Sequence, residues 1–107
     1  MDRTESRFFS SIKDNEIKEG HVKPIYARGK PILLAKKNGQ IFAVSNRCPH
    51  EGCSLERGIL REYIIICPCH GWKFDIRSGK NQENNSNNLI NYRTKIENGK
   101  IQIKIEP

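Results

Sequence analysis

Long apolar runs are missing from this chain. Hydrophobic residues make up 36% of its 107 positions, and none of its apolar stretches approaches the roughly twenty residues that a membrane-spanning helix needs. No membrane span is expected. The opening Met1-Asp-Arg-Thr-Glu-Ser-Arg7 has charges with no apolar segment behind them, so it does not read as a secretory signal and the cytoplasm is the default location. Helix signals are scarce. There is no nucleotide-binding glycine loop, no nucleophile beside a base, and too little chain for two separate cores. A single domain over residues 1–107, with no catalysis of its own, is the expectation.

Acidic residues are also in deficit, 12 against 19 Lys plus Arg, which leaves a net charge of +7. Placement matters more than the sum. Residues 1–44 hold nine basic and five acidic side chains, residues 45–76 four of each, and residues 77–107 six and three. The neutral middle contains all four cysteines and two of the three histidines, so the unusual chemistry and the positive charge occupy different parts of the chain. That separation argues against a nucleic-acid partner.

What is present is β pattern. Ile32-Leu-Leu-Ala35 and Gln40-Ile-Phe-Ala-Val44 flank Asn38-Gly39, a strong hairpin cue. Tyr92, Thr94 and Ile96 alternate with charged residues up to Asn98-Gly99, after which Ile101, Ile103 and Ile105 alternate with Gln102 and Lys104. A period of two means one buried face. Gly20 to Tyr26 reads as a further strand, and Pro24 places it at an edge because proline cannot donate to a ladder. Phe8 to Ser11 is a candidate first strand. Tyr63-Ile-Ile-Ile66 reads as a short strand buried on both faces, followed by Lys73 to Ile76. Asn81 to Asn88 is polar, Asn-rich and without proline, hence a loop with nothing to bury. No internal repeat is apparent. The fold class is all-β, with two Cys- and His-bearing loops set between strands.

Those loops carry the chemistry. Cys48-Pro49-His50 is followed, after sixteen residues, by Cys67-Pro68-Cys69-His70, so each loop offers one thiolate and one imidazole a short step apart. By ligand type alone, a tetrahedral zinc site, a pair of disulfides and an iron-sulfur centre are all open. In a Rieske centre one iron takes two Cys and the other two His, which asks each loop for both ligand types.

The contexts Arg47-Cys-Pro-His-Glu-Gly52 and Cys67-Pro-Cys-His-Gly-Trp-Lys-Phe-Asp75 resemble those of soluble Rieske-type ferredoxins. Gly29 to Leu34, Asn38 to Val44 and the terminal hairpin are similar to the family's base. The resemblance implies an antiparallel β-sandwich with a small cluster-binding subdomain at about residues 45–76. It implies one 2Fe-2S cluster, with Cys48 and Cys67 on one iron and His50 and His70 on the other. Cys53 and Cys69 stand where respiratory relatives carry a disulfide tying the two loops together, so a Cys53–Cys69 bridge is implied as well. High-potential respiratory members have Ser and Tyr at the positions of Trp72 and Phe74, where they donate hydrogen bonds towards cluster sulfurs. Neither residue here has a hydroxyl. That implies a midpoint in the lower half of the roughly −150 to +300 mV Rieske range. Trp72 and Phe74 are expected to pack beneath the loops, and His21, the third histidine, to be an ordinary surface side chain.

The function so implied is a soluble, monomeric one-electron carrier between a reductase and an oxygenase or other terminal acceptor. Three alternatives are the small Rieske subunit of a nitrite-reductase-type or oxygenase enzyme, the soluble domain of a respiratory Rieske protein, and a basic zinc or nucleic-acid-binding module.

Overall fold

A computed structural model describes residues 7–49, 52–69, 71–83 and 87–105. Among the described residues ten strands form three antiparallel sheets: β1 (Arg7–Lys13), β2 (Val22–Ala27), β3 (Lys30–Lys37), β4 (Gln40–Ser45), β5 (Ile59–Arg61), β6 (Ile64–Ile66), β7 (Lys73–Asp75), β8 (Asn91–Tyr92), β9 (Thr94–Glu97) and β10 (Lys100–Ile105). The first sheet runs β1-β10-β9, the second β2-β3-β4-β8 and the third β5-β6-β7. Short 3₁₀ turns occupy Asp14–Glu16 and Leu55–Arg57. Among the described residues no helix is long and apolar enough to cross a membrane.

The second sheet is the middle layer. Along β3, Ile32 and Leu34 join a core with Ile101, Ile103 and Ile105 of the first sheet, while Leu33 and Ala35 join a second core with Leu55, Ile65 and Phe74. Successive side chains of a strand point to opposite faces, so a strand covered on both sides must be apolar at every step. Ile32, Leu33 and Leu34 are accordingly fully buried, each worth about 1.5–3 kcal/mol of burial. β4 obeys the same rule, with Ile41 and Ala43 in one core and Val44 in the other. β10 is covered on one face only, which is why its isoleucines alternate with Lys100, Gln102 and Lys104.

Both expected hairpins form, with Asn38-Gly39 and Asn98-Gly99 as their turns and all four residues at positive φ. Asn and Gly are the residues that take this conformation most readily, which is why the pair marks such turns. β2 is an edge strand with Pro24 opposite Leu33, as its proline requires. β1 pairs with β10, so the first described strand closes onto the last.

Two expectations need correction. Tyr63 lies in the turn between β5 and β6, and only Ile65 of that apolar run is fully buried, while Ile64 and Ile66 are half-buried. The third sheet packs through one face against the second core, and so the strand is not enclosed on both sides. The Asn-rich loop also buries something. Asn81 is 4% exposed and forms an isolated bridge with Phe74. Its backbone N–H donates to Asn88 Oδ1 at 2.9 Å and its Oδ1 accepts from the N–H of Glu83 at 2.9 Å. Asparagine side chains thus tie together the described ends of a loop that has no proline to stiffen it.

Candidate metal centre

The two cysteine loops share a pair of backbone hydrogen bonds at their described residues. In the first, the N–H of Cys48 donates to the carbonyl of Cys53 at 2.8 Å, and the N–H of Gly52 donates to the carbonyl of Cys48 at 2.7 Å. In the second, the N–H of Cys67 donates to the carbonyl of Trp72 at 2.7 Å, and the N–H of Gly71 donates to the carbonyl of Cys67 at 3.0 Å. Cysteine, proline and glycine occupy the first, second and fifth positions of both turns. The proline presets φ near −65°, and the glycine takes φ +74° in each case, a region that costs other residues. This is a short internal likeness that the sequence reading missed, although the shared Cys-Pro-x-x-Gly was there to find it.

The turns are held from below. Asn46, two residues before Cys48 and 6% exposed, donates its N–H to the Pro31 carbonyl at 3.0 Å. Its side-chain oxygen accepts from the N–H of Leu55 at 2.8 Å, and its side-chain nitrogen donates to Glu56 at 3.0 Å. Ser45 is paired to Ile90 twice, through its own N–H to the Ile90 carbonyl and through its hydroxyl oxygen, which accepts the Ile90 N–H. Beneath the second turn, a Cβ at Gly58 would strike the carbonyl of Ile66, the residue before Cys67, so only glycine allows that approach. Phe74 is fully buried and Trp72 half-buried beneath the turns, their ring centroids 6.4 Å apart.

The four cysteines divide into two kinds. Cys53 and Cys69 are joined by a disulfide with Cα atoms 6.5 Å apart, which brings the end of the first turn against the middle of the second. Cys48 and Cys67 remain thiols, each 2% exposed and both in the same core. Two buried soft sulfur donors on like turns fit an iron-sulfur centre by donor chemistry. His50 and His70 lie outside the described residues, and among the described residues no group of three or more His, Cys, Asp or Glu gathers around a point. His21 is exposed.

Titration is perturbed at the end of the third sheet and at β8. Hydrogen bonds from the Arg77 side chain, at 2.8 and 3.0 Å, hold the Asp75 carboxyl below its usual range against the opposing effect of burial. The Arg77 guanidinium lies 4.2 Å above the Tyr63 ring. Burial raises the Tyr92 phenol.

The family model of the Rieske [2Fe-2S] domain matches residues 8–93. A ferredoxin component of naphthalene 1,2-dioxygenase/salicylate 5-hydroxylase systems from a Ralstonia species is 33% identical over 93 residues, covering 86% of this chain and 89% of that protein. Mouse apoptosis-inducing factor 3 is 32% identical over 94 residues, 87% of this chain but only 15% of its own length, so the same unit also occurs inside much longer proteins. The solved structure of a Sphingomonas yanoikuyae B1 ferredoxin superposes with a TM-score of 0.84 at 25% identity, over 92% of this chain and 99% of that one. With a matched family spanning most of its length and ferredoxin components of oxygenase systems as relatives, the chain belongs to the Rieske [2Fe-2S] family as a ferredoxin-type electron carrier.

Proposed function

We propose that residues 1–107 form one Rieske domain that takes an electron from a reductase and gives it to an oxygenase or other terminal acceptor. In this reading Cys48 and Cys67 bind one iron of a single 2Fe-2S cluster, His50 and His70 bind the other, and the protein acts as a monomer. The cluster supplies the one-electron couple. The chain supplies burial of the two thiolates, a fixed separation between the turns through Cys53–Cys69, and a core of Phe74, Ile65 and Leu55 that keeps water from the sulfur side. The observation that carries the reading is the matched pair of turns, each presenting a buried cysteine thiol with the same two hydrogen bonds.

Mixed ligation also bears on the potential. Two ferric ions, two sulfides and two thiolates sum to zero with neutral imidazoles, so reduction adds charge to a neutral centre. Phe74 is buried with no hydroxyl to donate to a sulfur, which favours the lower half of the roughly −150 to +300 mV span of such centres. The decisive experiment is electron paramagnetic resonance of the dithionite-reduced protein, together with metal and acid-labile sulfide analysis. A Rieske-type spectrum with an average g below that of all-cysteine clusters, and equal iron and sulfide, is expected. Stoichiometric zinc without sulfide would overturn the assignment.

A further inference from the structure

Two hairpin turns of the sheet base repeat one dipeptide. Asn38-Gly39 joins β3 to β4 and Asn98-Gly99 joins β9 to β10, each as a two-residue loop. The asparagines take φ +53° and +55°, the glycines +77° and +79°, and all four residues are exposed. Their partners differ. At the first turn the Glu19 carboxylate accepts both N–H groups, that of Asn38 at 2.6 Å and that of Gly39 at 2.9 Å, while the Asn38 side-chain amide donates to the Tyr63 hydroxyl. The two backbone bonds hold the Glu19 carboxyl below its usual range. At the second turn the Gly99 carbonyl accepts the Asp14 N–H at 2.8 Å, but among the described residues nothing bonds the Asn98 side chain or the Gly99 N–H. Position differs as well. β9 has only β10 as a ladder neighbour among the described residues, whereas β3 and β4 lie inside the second sheet, and edge segments open locally at less cost than inner ones.

An asparagine before a glycine carries its own electrophile and nucleophile. The glycine nitrogen can attack the side-chain carbonyl carbon, because glycine has no Cβ to block the approach. The N–Cγ bond forms, the Cγ–Nδ2 bond breaks, and the proton given up by the glycine nitrogen departs with the side-chain amide as ammonia. Water then opens the cyclic imide at either carbonyl and leaves aspartate or isoaspartate. No oxidant or reductant takes part. Ring closure needs the glycine N–H released and the peptide between the two residues rotated. At Asn38 that motion breaks both bonds to Glu19 and the bond to Tyr63, and it strips a proton from a nitrogen beside a carboxylate. At Asn98 none of these has to be broken.

We infer that Asn98 is a site of spontaneous deamidation in the folded protein, and that Asn38, its match in sequence and conformation, is kept intact by Glu19 and Tyr63. Each event places a carboxylate two residues from Lys100, and the isoaspartate product adds one carbon to the main chain of the β9–β10 turn. The inference stands apart from the electron-carrier reading, since neither turn belongs to a cysteine loop.

The test is peptide mapping of the holoprotein after incubation in heavy-oxygen water at mildly alkaline pH and digestion in ordinary water, so that each event is marked by the oxygen it takes up. Trypsin releases the two turns separately, in residues 38–47 and 96–100. Three bonds at the weak end for hydrogen bonds amount to about tenfold in rate, so Asn98 should be lost about tenfold faster than Asn38. In guanidinium chloride the two rates should converge. Glu19→Ala should speed the loss at Asn38 and leave that at Asn98 unchanged. Equal rates in the folded protein would overturn the inference. A ratio that persists in the unfolded chain would do the same, by placing the difference in the flanking residues. Unchanged or slower loss at Asn38 in Glu19→Ala would also overturn it, the slower case marking the carboxylate as a base that assists the attack.

Discussion

At their described residues the two cysteine turns have the same hydrogen bonds and different attachments. Each begins with a buried cysteine whose N–H and carbonyl are both used inside the turn, and each places glycine fifth at φ +74°. The first turn ends in Cys53 and the second in Trp72, while the other half of the disulfide, Cys69, sits in the middle of the second turn. The clamps differ too. The first turn is anchored by side chains, Asn46 and Ser45, and the second by its place between β6 and β7 and by the close approach of Gly58. The same pair of backbone hydrogen bonds is therefore supported by two routes, one through polar side chains and one through the ladder of a small sheet.

The largest break in this likeness comes from removing one sulfur. Cys48→Ser and Cys67→Ser should each abolish the visible colour and the reduced-state paramagnetic signal, and by an equal amount, because the reading makes the two sulfurs equivalent. Loss in one variant only, measured by iron content, would show that the turns are not a ligand pair. Next is the asymmetric element. The disulfide spans a sequence separation of 16, and closing a loop of that size contributes about 3 kcal/mol. Cys53→Ala/Cys69→Ala should lower the denaturant midpoint accordingly and hasten cluster loss on dilution into chelator.

A smaller effect sharpens the comparison. Gly52 and Gly71 have open space where a Cβ would sit, so only the positive φ opposes substitution. Gly52→Ala and Gly71→Ala should each cost about 1–2 kcal/mol in chemical denaturation, and the same amount at both sites. The smallest effect lies outside both turns. The Asp75 carboxyl is depressed in the folded protein, so its contribution is present above the unfolded value of about 3.9 and fades as pH falls through the lower folded value. Thermal melts should show a slight acid loss below about pH 4 that Asp75→Asn removes.

The sheet base was legible from sequence because burial imposes a period on it. β10 shows its single buried face in every second residue, and β3 shows its two buried faces in an unbroken apolar run. Asn38-Gly39 and Asn98-Gly99 marked their turns for a conformational reason. The third sheet was harder, since its three-residue strands are too short to display a period and Tyr63 looked like strand while serving as turn. The buried cysteines were found through their motif, but the Asn46 clamp was not. Asn38 and Asn98 are followed by glycine, but nothing in the residue string marks Asn46 as buried and bonded. The same blindness made the Asn81 loop look empty.

Joining Cys53 to Cys69 closes a covalent ring around β5 and β6. At its outer rim lies exposed Arg61, followed by Glu62 at φ +54°. A chain cut by trypsin after Arg61 would still run as one species on a non-reducing gel and fall into two on adding thiol. The rim can thus be severed without parting the pieces.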